Sequence, residues 1–324
     1  MPLTRRNFLK GAAAGSAVVA CAATTASEAE ARENKTLPPK AVGLLYDSTL
    51  CIGCKACVKA CRDANDTSPE FNTADPLWDT PLDLSGSTLN VIKMYAEGTS
   101  DHKDQEKDGF AFIKKSCMHC VDPSCVSVCP VTAMRKDPDT GIVSHHPDAC
   151  IGCRYCVASC PFGVPKFEYN TPTPQIHKCQ MCRHRQAEGK IPACAEVCPT
   201  GATLFGSVLG LREEAARRRS LPAGETTTFS RKTVGSSDTH EKNTAHYLPH
   251  TYGETEMGGT QMMLLAGVPF DKLGYPTLPE GSFASASETI QHTVYKGMAA
   301  PVAVLGGLMY LAHKHTKHDG QDED

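Results

Sequence analysis

Cys51, Cys54, Cys57 and Cys61 form the first of four cysteine sets in this chain of 324 residues. Cys117, Cys120, Cys125 and Cys129 form the second, Cys150, Cys153, Cys156 and Cys160 the third, and Cys179, Cys182, Cys194 and Cys198 the fourth. They take all but one of the 17 cysteines. The first and third sets keep the spacing C-x2-C-x2-C-x3-C, in which three close thiolates wrap one cubane and the fourth reaches a neighbouring cluster. The chemistry expected is therefore ligation of four 4Fe-4S clusters. Pro130, Pro161 and Pro199 follow the last cysteine of three sets, the usual ending of such runs, whereas Arg62 holds that place after the first. Zinc ribbons also use C-x2-C pairs, but two pairs close a tetrahedral site and a third cysteine in the same short run has no use. Disulfides suit small secreted domains, and neighbouring cysteines on one tight loop are poor partners.

Composition points the same way. A net charge of -3 suggests no nucleic-acid partner. With an aromatic share of 6 % and one tryptophan, Trp78, much of the cysteine-bearing region is expected to be held by metal rather than by a large apolar core. A cluster-free chain would then be loose between residues 45 and 205. No Ser-His-Asp set, Walker loop or GxGxxG competes, so no catalytic residue is expected and the chain reads as an electron carrier rather than an enzyme. His119, His177 and His184 lie near cysteines, but with every ligand place filled they read as surface or supporting residues.

The N-terminus reads as an export signal. Thr4-Arg5-Arg6-Asn7-Phe8-Leu9-Lys10 carries twin arginines, Gly11 to Ala23 is a mildly apolar stretch, and Ala29-Glu30-Ala31 offers a cleavage site before Arg32. The twin-arginine route moves folded protein, which lets clusters be inserted before the thiolates meet an oxidising compartment. Cys21 either leaves with the signal or, given Val18-Val19-Ala20 before it, takes a lipid. Near the other end, Gly297 to Ala312 is free of charge between Lys296 and Lys314. A helix there covers about 24 Å, slightly short of a hydrocarbon core of roughly 30 Å, but flanking lysines and Tyr295 and Tyr310 favour one membrane span with Pro301 in its first turn. Lys314 and Lys317 bias the tail to the cytoplasm and put the cysteine region on the periplasmic face of the inner membrane.

The elements that must position the cysteines are partly readable. Cys51-Ile52-Gly53-Cys54-Lys55 and Cys150-Ile151-Gly152-Cys153-Arg154 are near copies, an internal repeat that argues for two ferredoxin-like units related by duplication. Gly53 and Gly152 are expected where backbone curls to aim N–H groups at sulfur. Val131 to Arg135, the turn Asp137 to Gly141, and Ile142 to Ser144 read as a hairpin. Residues 62–116 read as a polar insertion ending in the apolar run Phe110 to Ile113, either a cover over the clusters or a partner-binding surface. Leu211 to Arg219 reads as a helix with a solvated basic end, and 220–260 show little periodicity. The expected organisation is a signal at 1–31, a four-cluster domain at 32–205, an extension at 206–293, a membrane helix at 294–312 and a tail at 313–324. The fold class is α+β: duplicated bacterial ferredoxin-like units binding four cubane clusters, with a C-terminal membrane helix.

The run from Lys114 to Pro123, the run Cys150 to Pro165, and Gly258-Gly259-Thr260-Gln261 with Gly267-Val268-Pro269 resemble the iron-sulfur subunits of membrane-bound uptake hydrogenases. Their cysteine motifs are shared by a wider family that includes the beta subunits of formate dehydrogenase. The resemblance spans nearly the whole chain and implies crossed ligation. One cluster would take Cys51, Cys54, Cys57 and Cys198, and its neighbour Cys179, Cys182, Cys194 and Cys61. A second pair would take Cys117, Cys120, Cys125 and Cys160, and Cys150, Cys153, Cys156 and Cys129. The implied partners are hydrogenase small and large subunits and an integral membrane quinone-reducing subunit. A relay serving a molybdenum enzyme such as formate dehydrogenase, or a purely structural anchor, are the alternatives.

Overall fold

The structure is a computed structural model that describes residues 31–70, 80–169 and 171–316. Arg5, Arg6, Cys21 and Trp78 lie outside the described residues. Two units divide the chain, one of Asn34–Ala284 and one of Met1–Glu33 with Ser285–Asp324.

In the larger unit the strands are β1 (Val42–Asp47), β2 (Val91–Ala96), β3 (His102–Lys103), β4 (Gly109–Lys115), β5 (Met134–Lys136), β6 (Val143–His145), β7 (Lys166–Phe167), β8 (Ile176–His177), β9 (Thr203–Ser207), β10 (Thr226–Ser230), β11 (Thr239–Asn243) and β12 (Met262–Leu265). Short helices Ser124–Ser127, Tyr155–Ser159, Arg183–Ala187 and Ala193–Glu196 lie among the cysteine motifs, with longer ones at Ala56–Asn65 and Val208–Ser220. The mixture agrees with the expected α+β class.

A three-stranded sheet in the order β12-β1-β9 is the frame. β1 runs parallel to β12, with Leu44 opposite Met262, and antiparallel to β9, with Leu44 opposite Phe205. The stretch after residue 205 thus supplies a strand beside the one that leads into the first cysteine motif. Both faces of this sheet are apolar and covered: Leu45, Leu204, Met263, Val208 and Leu211 pack on one side, Leu44, Tyr46, Met262 and Leu264 on the other. Strands covered on both faces read as continuous apolar runs, as Met262-Met263-Leu264-Leu265 does. The low aromatic content suggests a small core, but aliphatic and methionine side chains together with Tyr46, Phe229, Tyr252, Phe270 and Tyr275 build a large one.

The expected polar insertion is not structureless. Its C-terminal half forms a sheet in the order β2-β4-β3, so Phe110 to Ile113 is a strand whose Ala111 and Ile113 join the core. β5 and β6 form the expected hairpin, displaced by a residue or more toward the C-terminus. Arg218 corrects the reading of a solvated basic end. It is wholly buried, donates to Asp47 Oδ2 at 2.8 Å and to Glu214 Oε1 at 2.8 Å, and lies over the Phe229 ring at 5.2 Å. A buried guanidinium is tolerable only when paired in this way.

The last helix runs from Phe283 to Thr316, and from Ser285 onward it belongs to the other unit. Pro301 therefore lies deep inside the helix rather than in its first turn. At 34 residues it is about 51 Å long. Over Phe283–His313 it is long and apolar enough to cross a membrane. Arg32 pairs with Glu288 near its start at 2.7 Å.

Candidate functional site

The geometry is built on four C-x-x-C loops. Each turns by placing the residue before its second cysteine in the left-handed region: Gly53 at φ 69°, His119 at 48°, Gly152 at 69° and Met181 at 50°. That turn points backbone N–H groups at sulfur. Gly53 N donates to Cys51 Sγ at 3.4 Å and Met181 N to Cys179 Sγ at 3.4 Å. In the first and third motifs the next residues, Lys55 and Arg154, are also left-handed at φ 56° and 62°, and each starts a helix. The sequence repeat is therefore a conformational repeat.

The structure gathers cysteines across motifs. One cavity is lined by Cys51, Cys54, Cys57 and Cys198. A second is lined by Cys61, Cys179, Cys182 and Cys194, and a third by Cys129, Cys150, Cys153 and Cys156. Cys120 has Cys125, Cys117 and Cys160 as its interacting sulfurs, which completes a fourth group. None of the sixteen described cysteines is in a disulfide. Among the described residues no three His, Cys, Asp or Glu side chains converge to hold a single metal ion. The sulfurs surround a space rather than a point, which is the room a multi-iron cluster needs and a zinc ion does not.

Electrostatics agree with that use. Burial, and then the neighbouring Cys194, push the Cys61 thiol up to about 11. Burial and nearby sulfurs act alike on Cys156, pushed up to about 11, and raise Cys120 and Cys179 further. Thiolates this crowded and dry are stable only against compensating positive charge, which iron supplies.

Several supporting residues escape sequence reasoning. Lys178 is buried and donates to Cys117 Sγ at 3.7 Å and to the carbonyls of Val143 and Cys179. Lys114, on β4, is 1 % exposed and lines the second cavity. Burial alone would lower its pKa, but Cys194 and Cys57 carry it above the ordinary lysine value. The only sequence signal is parity: Lys114 lies two residues after Phe112 and four after Phe110 along β4 and so shares their face. Among the histidines, His119 is buried and its Nδ1 accepts from Val143 N at 3.1 Å, tying the second motif to β6. Its basicity is strongly lowered by burial and then by Lys178. His177 pairs with Glu168 at 2.9 Å, and His184 is exposed.

The C-terminal run Gly258 to Gln261 fastens the second motif to the sheet. Val121 N donates to Gly259 O at 2.9 Å, and Gln261 N to His119 O at 3.1 Å. The Gln261 side chain donates to Val42 O at 2.6 Å and Thr140 O at 2.8 Å, and accepts from Lys136 Nζ at 2.9 Å.

Two family models, each described as a 4Fe-4S dicluster domain, match residues 50–133 and 109–208. The chain is 48 % identical to the hydrogenase-2 operon protein HybA of Escherichia coli O157:H7 over 329 aligned positions, covering 99 % of each chain. It is 34 % identical to the formate dehydrogenase-O iron-sulfur subunit of Escherichia coli K12, covering 82 % of this chain and 78 % of that one. A Haemophilus influenzae NrfC homolog is 38 % identical over 63 % of this chain and 80 % of its own. With similarity running past the cysteine motifs through the whole length, the chain belongs to the HybA family of 4Fe-4S iron-sulfur proteins.

Proposed function

We propose that this chain is the electron-transfer subunit of a hydrogenase complex: it accepts electrons from a hydrogenase small subunit, carries them on four 4Fe-4S clusters and delivers them to an integral membrane quinone-reducing protein. It has no substrate-turnover site of its own. The observation that carries the reading is the near full-length likeness to HybA, which extends into the Gly258 to Gln261 run that fastens the second motif. The cysteines of the three cavities and the fourth group fit the crossed ligand sets, each with three cysteines of one motif and the last of another. Bound clusters supply one-electron redox chemistry, and the chain holds them, excludes water and sets their potentials through N–H donors and charge.

The helix Phe283–Thr316 supports a single span that holds the protein at the membrane, its apolar side chains such as Val302, Leu305 and Met309 being exposed. Export by the twin-arginine route with the cysteine region on the periplasmic face completes the reading. Deleting residues from Gly297 onward is expected to release the protein from washed membranes with its brown colour intact; retention on membranes without its partners would refute the anchor.

The donor is tested on the complex purified from membranes. Nickel in the preparation and bleaching of the iron-sulfur absorbance under hydrogen are expected. Molybdenum in place of nickel would assign the relay to an enzyme such as formate dehydrogenase, and clusters that hydrogen cannot reduce in the nickel-containing complex would make the chain a structural anchor.

A further inference from the structure

Lys114 and Lys178 are the two lysines buried deepest against the cysteines, and they differ in one respect. Lys178 spends its donors on two carbonyls and Cys117 Sγ. The Lys114 ammonium donates to no carbonyl, and the sulfur that chiefly attracts it is that of Cys194. Its backbone is pinned: Lys114 pairs with Ile92 across β2 and β4, and Tyr275 Oη donates to its carbonyl at 2.6 Å. The side chain reaches from there into the cavity of Cys61, Cys179, Cys182 and Cys194. Cys57, which lines the neighbouring cavity, is also among the sulfurs it interacts with. A buried ammonium with only sulfur to face is expensive unless that sulfur carries negative charge.

We propose that Lys114 is a positioning residue for electron transfer, a fixed cation shared by the two cluster sites built from the first and fourth motifs, which raises the reduction potential of both. One-electron reduction of a cluster adds one negative charge. A cation held in a dry site between two clusters stabilises that charge on either one, far more than it would in water. The cysteines of the second and third motifs have a buried cation of their own, Lys178, 3.7 Å from Cys117 Sγ, so Lys114 serves the first pair of sites alone.

The inference rests on the reading that the cysteine sets hold 4Fe-4S clusters, and the two can fail separately. Iron counting and electron paramagnetic resonance on the unmutated protein test the reading; a protein without four clusters sinks it. Given four clusters, dithionite titration followed by paramagnetic resonance is applied to Lys114→Met and Lys114→Gln. The reduction equilibrium constants of two clusters should fall tenfold or more, about 59 mV per tenfold for a one-electron couple. The other two clusters should shift much less. Lys114→Arg should restore the potentials, and Lys59→Gln, at an exposed residue paired with Asp63, should change none. Full iron with unchanged potentials in the neutral variants, or an equal shift of all four clusters, would overturn the proposal. So would loss of iron from both neutral variants but not from the arginine variant, since the charge would then act in assembly rather than tuning.

Discussion

The four cysteine loops solve one backbone problem in two ways. In the first and third motifs the left-handed residue is glycine, with an aromatic ring from elsewhere beside it: Phe112 fills the side-chain space at Gly53, and Phe167 stands at contact distance from that space at Gly152. In the second and fourth motifs that residue keeps its side chain and uses it. His119 binds Val143 N, and Met181 packs into the core at 1 % exposure. A non-glycine residue in this conformation is disfavoured by roughly 1–2 kcal/mol, so the contacts made by His119 and Met181 must offset it. Each crossed pair of sites combines one loop of each kind. Loops open to an incoming ring and loops that anchor themselves therefore alternate through the site.

The largest expected effect breaks one member of each kind. Cys198→Ser removes a cysteine from the glycine-loop cavity of Cys51, Cys54 and Cys57, and should damage that cluster while sparing the pair built from motifs two and three. Cys160→Ser should do the converse, perturbing the group of Cys117, Cys120 and Cys125. Identical losses of paramagnetic signal and iron in the two variants would remove the crossed pairing.

A smaller effect separates the two glycine loops from each other. Cys160 precedes Pro161 and is extended, so the helix Tyr155–Ser159 stops before it, as a residue preceding proline requires. With Arg62 in that place, the helix Ala56–Asn65 runs through Cys61 and ends at a left-handed Asp66. Arg62→Pro should shorten that helix and destabilise the protein by about 3 kcal/mol, read as a lower guanidinium midpoint for loss of the iron-sulfur absorbance. An unchanged midpoint would mean that the extra turns contribute nothing.

The smallest effect sharpens the contrast in ring packing. A Cβ on Gly53 would stand 2.5 Å from the Phe112 ring, whereas one on Gly152 would be 3.6 Å from Phe167. Both alanine substitutions incur the left-handed penalty, and only Gly53→Ala adds overpacking of about 1–3 kcal/mol. The same denaturation assay should rank Gly53→Ala below Gly152→Ala; the reverse order would show that ring contact does not select glycine at residue 53.

The loops were legible in the sequence because ligand spacing is a local property: cysteine, gap and glycine all fall within a few residues. The hairpin of β5 and β6 was legible for the same reason, through its turn residues. What the sequence hid is what depends on distant partners. Arg218 reads as solvated until Asp47 is seen beside it, and Met262 to Leu265 gives no sign that its neighbour is β1. Lys114 was hidden by its type, since a lysine at a strand end is ordinarily exposed. The sheet of β2, β3 and β4 was missed because a polar majority masked the short apolar runs in β2 and β4, and β3 is the polar pair His102–Lys103.

The parallel pairing of β1 with β12 also fixes a timetable. A growing chain presents its N-terminal parts first, yet Leu44 must wait for Met262, and the cavity of Cys51 must wait for Cys198. The strand that leads into the first cysteine motif is made early and finished late. Throughout that interval the thiols of the first motif are exposed on an incomplete nascent fold, so their protection during synthesis falls to whatever surrounds the ribosome rather than to the protein itself.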